Sequence, residues 1–163
     1  MSEEPVRRTR APAEWKQAHL DSYISSGGAE GHIISTLAFG GSEFQKTLLL
    51  RTVGAKSGKA RIVPLVYGEF GEETVIAASL GGSDMNPAWY HNIRNSETVD
   101  FQIATQAFKA RWREAEGAER DAVWEMMERT YPPYIEYRAA TEREIPLIML
   151  KPIEEIAVFT APD

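Results

Sequence analysis

The sequence predicts an α+β domain in which a mainly antiparallel sheet closes into a barrel flanked by helices. The candidate elements run in the order helices, three strands, a helix, two strands, helices and a strand. This order lacks the regular strand–helix alternation of a doubly wound parallel sheet. The strands are also short and numerous, and closing them into a barrel removes their exposed edges.

The first forty residues are predicted to be helical after a polar tail. Residues 1–12 are polar and predict a flexible N-terminal tail. Apolar residues at helical spacing then predict a helix over 13–25 and a second over 30–39. Gly27-Gly28 separates these helices, and Gly40-Gly41 ends the second. We expect N-terminal helices over 13–40, packed on the remainder of the domain.

Apolar runs that end near glycine predict three strands in succession, at 47–53, 62–67 and 74–78. Pro64 lies within the second run. Proline cannot donate a hydrogen bond to a neighbouring strand, so this run is predicted to be an edge strand or to carry a bulge. Gly71 marks a hairpin turn between the second and third strands.

The second half begins with a predicted helix over 86–95, with Asn86 as N-cap and Pro87 at the first helical position. Alternating apolar and polar side chains predict two more strands, at 99–103 and 108–113. Helical periodicity and the Pro132-Pro133 break predict helices over 118–130 and 134–141. An apolar run then predicts a last strand over 145–150, with continuation to Phe159 as the alternative.

Composition excludes several classes of function. The chain of 163 residues suits one domain over 13–163, and it has no cysteine for disulfides, iron–sulfur clusters or thiolate zinc sites. Its three histidines have no ligand spacing, so no metal site is predicted. A net charge of −6 argues against general nucleic-acid binding. We expect a cytoplasmic protein. Peripheral membrane contact through the N-terminal helices is the alternative, and the oligomeric state is not predicted.

A basic segment is the strongest chemical feature of this acidic chain. No acidic residue interrupts it, and two glycines bracket a turn whose backbone N–H groups can face an anion. Two interpretations stand equal on the charge pattern alone: an anion site and a solvated hairpin tip. The basic residues are Lys46, Arg51, Lys56, Lys59 and Arg61, and the glycines are Gly54 and Gly58.

Two further segments are candidate parts of a site. In residues 77–90 a strand ends, Gly81-Gly82 follows, and a helix begins, so a planar ring can approach the main chain closely. The alternative is an ordinary strand–loop–helix connection. Tyr131, Tyr134 and Tyr137 are spaced to share one helical face, where they either line a pocket or pack in the core.

Together these segments resemble the deazaflavin-dependent nitroreductase family. The run from Thr52 to Leu65, TVGAKSGKARIVPL, is similar to the first signature of that family, T-x-G-R-K-[ST]-G-x-x-R-x-x-P-L. The run from Ala77 to Asn92 resembles the second signature, and the run from Tyr131 to Pro146 resembles the third. The resemblance covers about residues 47–152, and three signatures in order make it specific.

The resemblance implies a split β-barrel of the FMN-binding type and coenzyme F420, an 8-hydroxy-5-deazaflavin with a phosphodiester and an oligoglutamate tail. It implies that Lys56 and Arg61 contact the phosphate and tail, in a groove shaped by Ser57, Gly58 and Pro64. It further implies that the ring is bounded by Ala77, Ala78, Met85, Asn86, Pro87 and Trp89. The implied catalytic residues, which face the substrate, are Ser79, Tyr134 and Tyr137.

The implied activity is hydride transfer from reduced F420 to a small electron-poor acceptor, either a quinone, an enone or other activated alkene, or a nitroaromatic. FMN is the alternative cofactor, and a non-catalytic deazaflavin carrier is the alternative function. The chain departs from the family pattern at Ala55, where an arginine is usual, and at Leu80, where a basic or polar residue is frequent. Val66 replaces a tyrosine of nitro-reducing members.

Overall fold

The computed structural model describes residues 13–161, so the predicted tail over 1–12 lies outside the described residues. Within residues 13–161, no helix is both long enough and apolar enough to span a bilayer. The helices are α1 (Ala13–Ser25), α2 (Ala88–Arg94), α3 (Gly117–Thr130) and α4 (Pro133–Ala139). The strands are β1 (Ile33–Ile34), β2 (Gln45–Val53), β3 (Ala60–Val66), β4 (Gly68–Phe70), β5 (Glu73–Ala77), β6 (Thr98–Ile103), β7 (Gln106–Glu114) and β8 (Leu147–Ile156).

These strands form one antiparallel sheet in the order β1-β2-β6-β7-β8-β5-β4, with β3 paired to β2. Tyr67 alone separates β3 from β4, so the chain links the two ends of the sheet. Among the described strands β3 pairs with β2 only, and Pro64 lies opposite Leu49. The prediction of an edge strand at Pro64 is therefore confirmed.

Alternation along the central strands gives both faces of the sheet an apolar layer. On β2, Leu48 and Leu50 pack with α2, whereas Leu49 packs against Tyr23 of α1. On β8, Ile148 joins the α2 side and Met149 joins the side covered by α3 and α4. The centre of the sheet is thus buried on both faces, and the helices that cover it also reach the site described below.

The prediction of a second N-terminal helix over 30–39 is wrong. Ile33 and Ile34 instead pair with Lys46 and Gln45 as β1, and only Leu37–Phe39 forms a 3-10 turn. The Thr36 hydroxyl accepts the Ser42 N–H at 3.0 Å, which favours a turn over helix continuation. Branched Ile33 and Ile34 also suit a strand.

Two local details of the prediction also change. The helix predicted from Asn86 begins at Ala88, with extended Pro87 as its N-cap and no side-chain cap. Asn86 does not cap this helix, because its Oδ1 accepts a hydrogen bond from Arg143 at 2.7 Å. The strand β4 was absent from the predicted elements, since its three residues are too few to show a period.

Candidate functional site

A cavity of about 880 Å³ lies among α1, the β2–β3 loop, the segment between β5 and α2, and the tyrosines of α4. This volume suits a drug-sized ligand or cofactor. The structure brings ten of the fourteen predicted site residues onto its wall, namely Lys56, Ser57, Arg61, Pro64, Ala77, Ser79, Pro87, Trp89, Tyr134 and Tyr137.

Four predicted residues lie off the cavity wall. Gly58 turns the loop at φ +69° but does not line the cavity. Ala78 is fully buried in the core with α2. Met85 is 71% exposed, and the Asn86 side chain binds Arg143 instead. Gly58 therefore acts through the backbone of the loop, Asn86 acts through Arg143, and Met85 projects into solvent.

The charge on the cavity wall is positive, although the chain is acidic. Lys16, Lys56 and Arg61 line the cavity, and none of the described lining residues is acidic. Of the basic residues in the predicted segment, only Lys56 and Arg61 line the cavity. Arg51 pairs with Asp100 at 2.7 Å and lies over the Phe159 ring at 4.2 Å, so it does not belong to this group. The wall can attract a polyanion through the remaining cations.

The loop between β2 and β3 presents Lys56 on a short turn, and Arg61 follows at the start of β3. The Gly54 N–H donates to the Lys59 oxygen at 2.8 Å, and the Gly58 N–H donates to the Gly54 oxygen at 2.9 Å. Gly58 has φ +69° and open space around it, so backbone conformation alone requires glycine there. Within this turn Lys56 and Ser57 line the cavity, whereas Lys59 does not.

Asn92 of α2 fixes this loop to the rest of the site. Its Oδ1 accepts the Ala55 N–H at 3.1 Å, and its Nδ2 donates to the Thr52 hydroxyl at 3.1 Å. Asn92 itself is buried and lines the cavity. It belongs to the second sequence signature, but only the fold reveals that it spans from α2 to the loop.

A second part of the cavity wall is aromatic and is formed by Tyr131, Tyr134 and Tyr137; it is called the tyrosine wall below. All three are buried and line the cavity, with ring centroids 5.1 Å apart for Tyr131–Tyr134 and 5.9 Å apart for Tyr134–Tyr137. Trp124 of α3 packs edge-on behind Tyr134 at 6.0 Å. The predicted tyrosine cluster therefore both packs in the core and lines the cavity.

The phenols of this wall differ in their partners. Burial, followed by the charge and hydrogen bond of Tyr137, raises the pKa of Tyr131 well above its usual range. Burial and the neighbouring Tyr137 also raise the pKa of Tyr134 strongly. Within residues 13–161 the Tyr134 hydroxyl has no hydrogen-bond partner. Tyr134 thus offers a protonated donor to whatever occupies the cavity.

The N-terminal helix supplies a third part of the wall, which sequence reasoning missed. Trp15, Lys16 and His19 of α1 line the cavity, and Trp15 meets Phe39 edge-on at 5.1 Å. His19 Nε2 lies 2.8 Å from the Gly31 oxygen, and burial lowers the pKa of this imidazole. The spacing i, i+1, i+4 places these residues together on a helix, but nothing local indicates what they face.

Comparison with known families identifies the cofactor and the enzyme class. The family model described as F420H(2)-dependent quinone reductase matches residues 15–152. The chain belongs to this family. It is an F420-dependent oxidoreductase, and the predicted cofactor and enzyme class are confirmed. Of the predicted acceptor classes, quinone is the one that the family description names.

Individual relatives of this reductase agree. The F420H(2)-dependent quinone reductase Rv1261c of Mycobacterium tuberculosis is 31% identical over 107 residues, covering 64% of this chain and 72% of the relative. The solved structure of F420-H2 dependent reductase FDR-A has 39% identity and a TM-score of 0.60, covering 64% of this chain and 93% of that chain. A structure described as a domain-swapped dimer has 32% identity and a TM-score of 0.62, covering 86% and 100%. The split β-barrel fold is confirmed.

Proposed function

We propose that this reductase holds reduced F420 on the β2–β3 loop and the segment after β5, and reduces a quinone bound against Tyr134. The observation that carries the proposal is one cavity whose wall combines the cations Lys56 and Arg61 with the buried phenol of Tyr134. The cations suit the phosphate and glutamate groups of the cofactor, and the phenol suits a carbonyl acceptor.

The wall fits the two ends of F420 by its chemistry. Lys56 and Arg61 would hold the phosphodiester and tail carboxylates, with Ser57 adding a hydroxyl. Ala77, Pro64, Pro87 and Trp89 would bound the ring, because they form the apolar surface beside that loop. The Ala55 side chain cannot pair with a carboxylate, so the tail contacts rest on Lys56 and Arg61.

When bound, the reduced deazaflavin supplies a hydride. A quinone that accepts one hydride and one proton becomes a quinol, and negative charge develops on its oxygen during the step. A Tyr134 hydrogen bond would stabilise that charge. The raised pKa makes Tyr134 a weaker acid than ordinary tyrosine, so we assign it hydrogen-bond donation, with solvent as the final proton source.

The neighbouring groups take supporting roles. Tyr137 packs against Tyr134 and orients its ring. Ser79 is buried on the wall and is the second hydroxyl that can donate to the acceptor. Val66 also lines the cavity, at the position where nitro-reducing members carry tyrosine, so we propose quinones ahead of nitroaromatics and enones. We propose the cytoplasm as its location.

Titration with F420 and FMN, followed by an acceptor panel, tests this function. We expect F420 to bind more tightly, because FMN carries one phosphate and no glutamate tail. Reduced F420 should then turn over a quinone faster than an enone or a nitroaromatic. Tighter binding of FMN would reject the cofactor assignment, and binding without turnover of any acceptor would favour the carrier.

A further inference from the structure

The turn after β5 has an unusual backbone at the edge of the cavity. Leu80, Gly81 and Gly82 follow one another with φ of +44°, +63° and +84°. The left-handed region is unfavourable for a residue with a side chain, so Leu80 needs support from its surroundings. Ser79, Leu80 and Gly81 all line the cavity. The shape of this turn therefore sets part of the cavity wall.

The same turn lies directly against the helix that carries the tyrosines. A Cβ at Gly82 would approach the Tyr137 Cα and carbonyl oxygen to 3.0 Å each, closer than side chains normally pack. Gly82 is thus a close contact between the turn and α4. Any shift of the turn changes the spacing between Ser79 and the tyrosine wall.

Arg143 ties this turn together from outside the cavity. Its Nη2 donates to the Ala78 oxygen at 3.1 Å and to the Ser79 oxygen at 2.9 Å. Its Nε donates to the Ser83 oxygen at 2.7 Å. A fourth bond, from Nη1 to Asn86 Oδ1 at 2.7 Å, reaches the residue before Pro87, the N-cap of α2. One guanidinium thus binds the backbone on both sides of the left-handed residues.

We propose that Arg143 is a positioning residue for this reductase. It holds the turn at 79–82 in place against α4, so that the distance between this turn and Tyr134 is maintained. The inference rests on the proposed function and adds to it a residue that does not line the cavity. Thr141 adds a second link between the chain after α4 and the chain after this turn, because its hydroxyl donates to Asp84 Oδ1 at 2.7 Å. The bonds of Arg143 and Thr141 to residues 78–86 are called the joint below.

The planar shape of the guanidinium makes the role specific to arginine. Three nitrogens point at acceptors spread from Ala78 to Asn86, and a lysine ammonium offers donors from one atom only. Arg143→Lys should keep part of the joint and Arg143→Ala none. Displacements of about 1 Å can lower rates by about 100-fold, so the effect on turnover is measurable.

The test compares Arg143→Ala and Arg143→Lys with Arg113→Ala. Arg113 is a matched control, because it also makes four hydrogen bonds, to Glu73 and Glu119, and does not line the cavity. Amide hydrogen exchange of residues 79–86 is measured without cofactor. The F420 dissociation constant and the single-turnover rate with a quinone are measured next. Methylguanidinium is added as rescue, since Arg143 borders a surface depression of about 630 Å³.

We expect Arg143→Ala to accelerate exchange at 79–86, raise the F420 dissociation constant about tenfold and slow turnover, with partial recovery on adding methylguanidinium. Arg143→Lys should lie between, and Arg113→Ala should change none of the three. Parental exchange at 79–86, or a change spread equally over the sheet, would overturn the proposal.

Two outcomes separate this inference from the function on which it rests. If Arg143→Ala does not fold, Thr141→Val must accelerate exchange of the same amides, and unchanged exchange there rejects the joint. If the parent protein binds no F420, the proposed function fails, whereas the exchange measurements still decide whether Arg143 holds the turn.

Discussion

The β2–β3 loop and the tyrosine wall line one cavity but are built in opposite ways. Lys56 and Arg61 lie on exposed chain, and the loop is held by backbone bonds, by the Ser57 hydroxyl and by Asn92. The tyrosine wall is buried between α3, the sheet and the cavity, with each ring in contact with the others. One region is charged and exposed, and the other is aromatic and buried.

This difference indicates a division of labour. Water and salt screen exposed charges, so each loop cation contributes modestly and acts mainly through attraction of a polyanion. A hydrogen bond from a buried phenol acts where the effective dielectric is low, so it is worth more at the moment charge develops. The loop should therefore set affinity for F420, and the wall should set the rate.

The largest effect is expected from Tyr134→Phe. The change removes only the hydroxyl and keeps the ring contacts with Tyr131 and Tyr137. Single-turnover reduction of a quinone should slow by about 100-fold, because a preorganised donor to a developing oxyanion is lost. The F420 dissociation constant should stay within about twofold of the parent value, because the Tyr134 hydroxyl is assigned to the acceptor and not to the cofactor. A twofold change corresponds to under about 0.5 kcal/mol.

Tyr137→Phe is the control for that substitution. Its ring also lines the wall, but its hydroxyl is assigned packing and orientation, so the rate should fall much less. A parental rate in Tyr134→Phe would move the donor role to Ser79 or water and return the tyrosines to core packing.

A smaller effect is expected at the loop. Arg61→Ala should raise the F420 dissociation constant by about tenfold, which corresponds to one charge-assisted pair. Lys59→Ala is the matched control, because Lys59 belongs to the same basic segment and does not line the cavity. Isothermal titration of both variants measures the difference. Equal, small losses would mean that the loop is a solvated tip.

Added salt should affect F420 binding at the loop more than turnover at the tyrosine wall, and this difference should be smaller than the effects of the substitutions. Raising ionic strength from about 0.1 M to about 1 M shortens the Debye length from about 10 Å to about 3 Å. F420 binding should weaken over this range, whereas turnover at saturating F420 should change little. An equal loss in both quantities would place exposed charge in the chemical step as well.

The smallest effect concerns pH. The pKa of Tyr134 is raised above its ordinary value of 10.0, so the phenol stays protonated at all lower pH values. Turnover at saturating F420 should therefore show no decline from Tyr134 ionisation between neutral pH and 10. A decline centred below that value and absent in Tyr134→Phe would contradict the buried donor.

Local patterns predicted much of the fold and of the cavity wall. Alternation at 99–103 and 108–113 predicted β6 and β7, and the Pro132-Pro133 break predicted the α3–α4 junction. The second N-terminal helix failed, because Ile33-Ile34 suits either a helix face or a strand until Gln45 and Lys46 pair with it.

Contacts between distant segments were beyond local patterns. Arg143 binds groups 57 to 65 residues earlier in the chain, and no local pattern specifies those partners. Arg51 looked like part of the anion site, but Asp100 on the neighbouring strand neutralises it. The resemblance located residues on the cavity wall, whereas the structure showed which of them are held in place and by what.

A double-substitution cycle tests the division of labour most directly. F420 affinity and single-turnover rate are measured for the parent, Arg61→Ala, Tyr134→Phe and the combined variant. Independent regions predict that the combined protein shows the affinity loss of Arg61→Ala and the rate loss of Tyr134→Phe, with no coupling in either quantity. An affinity loss in Tyr134→Phe, a rate loss in Arg61→Ala at saturating F420, or a combined loss that differs from the product would contradict it.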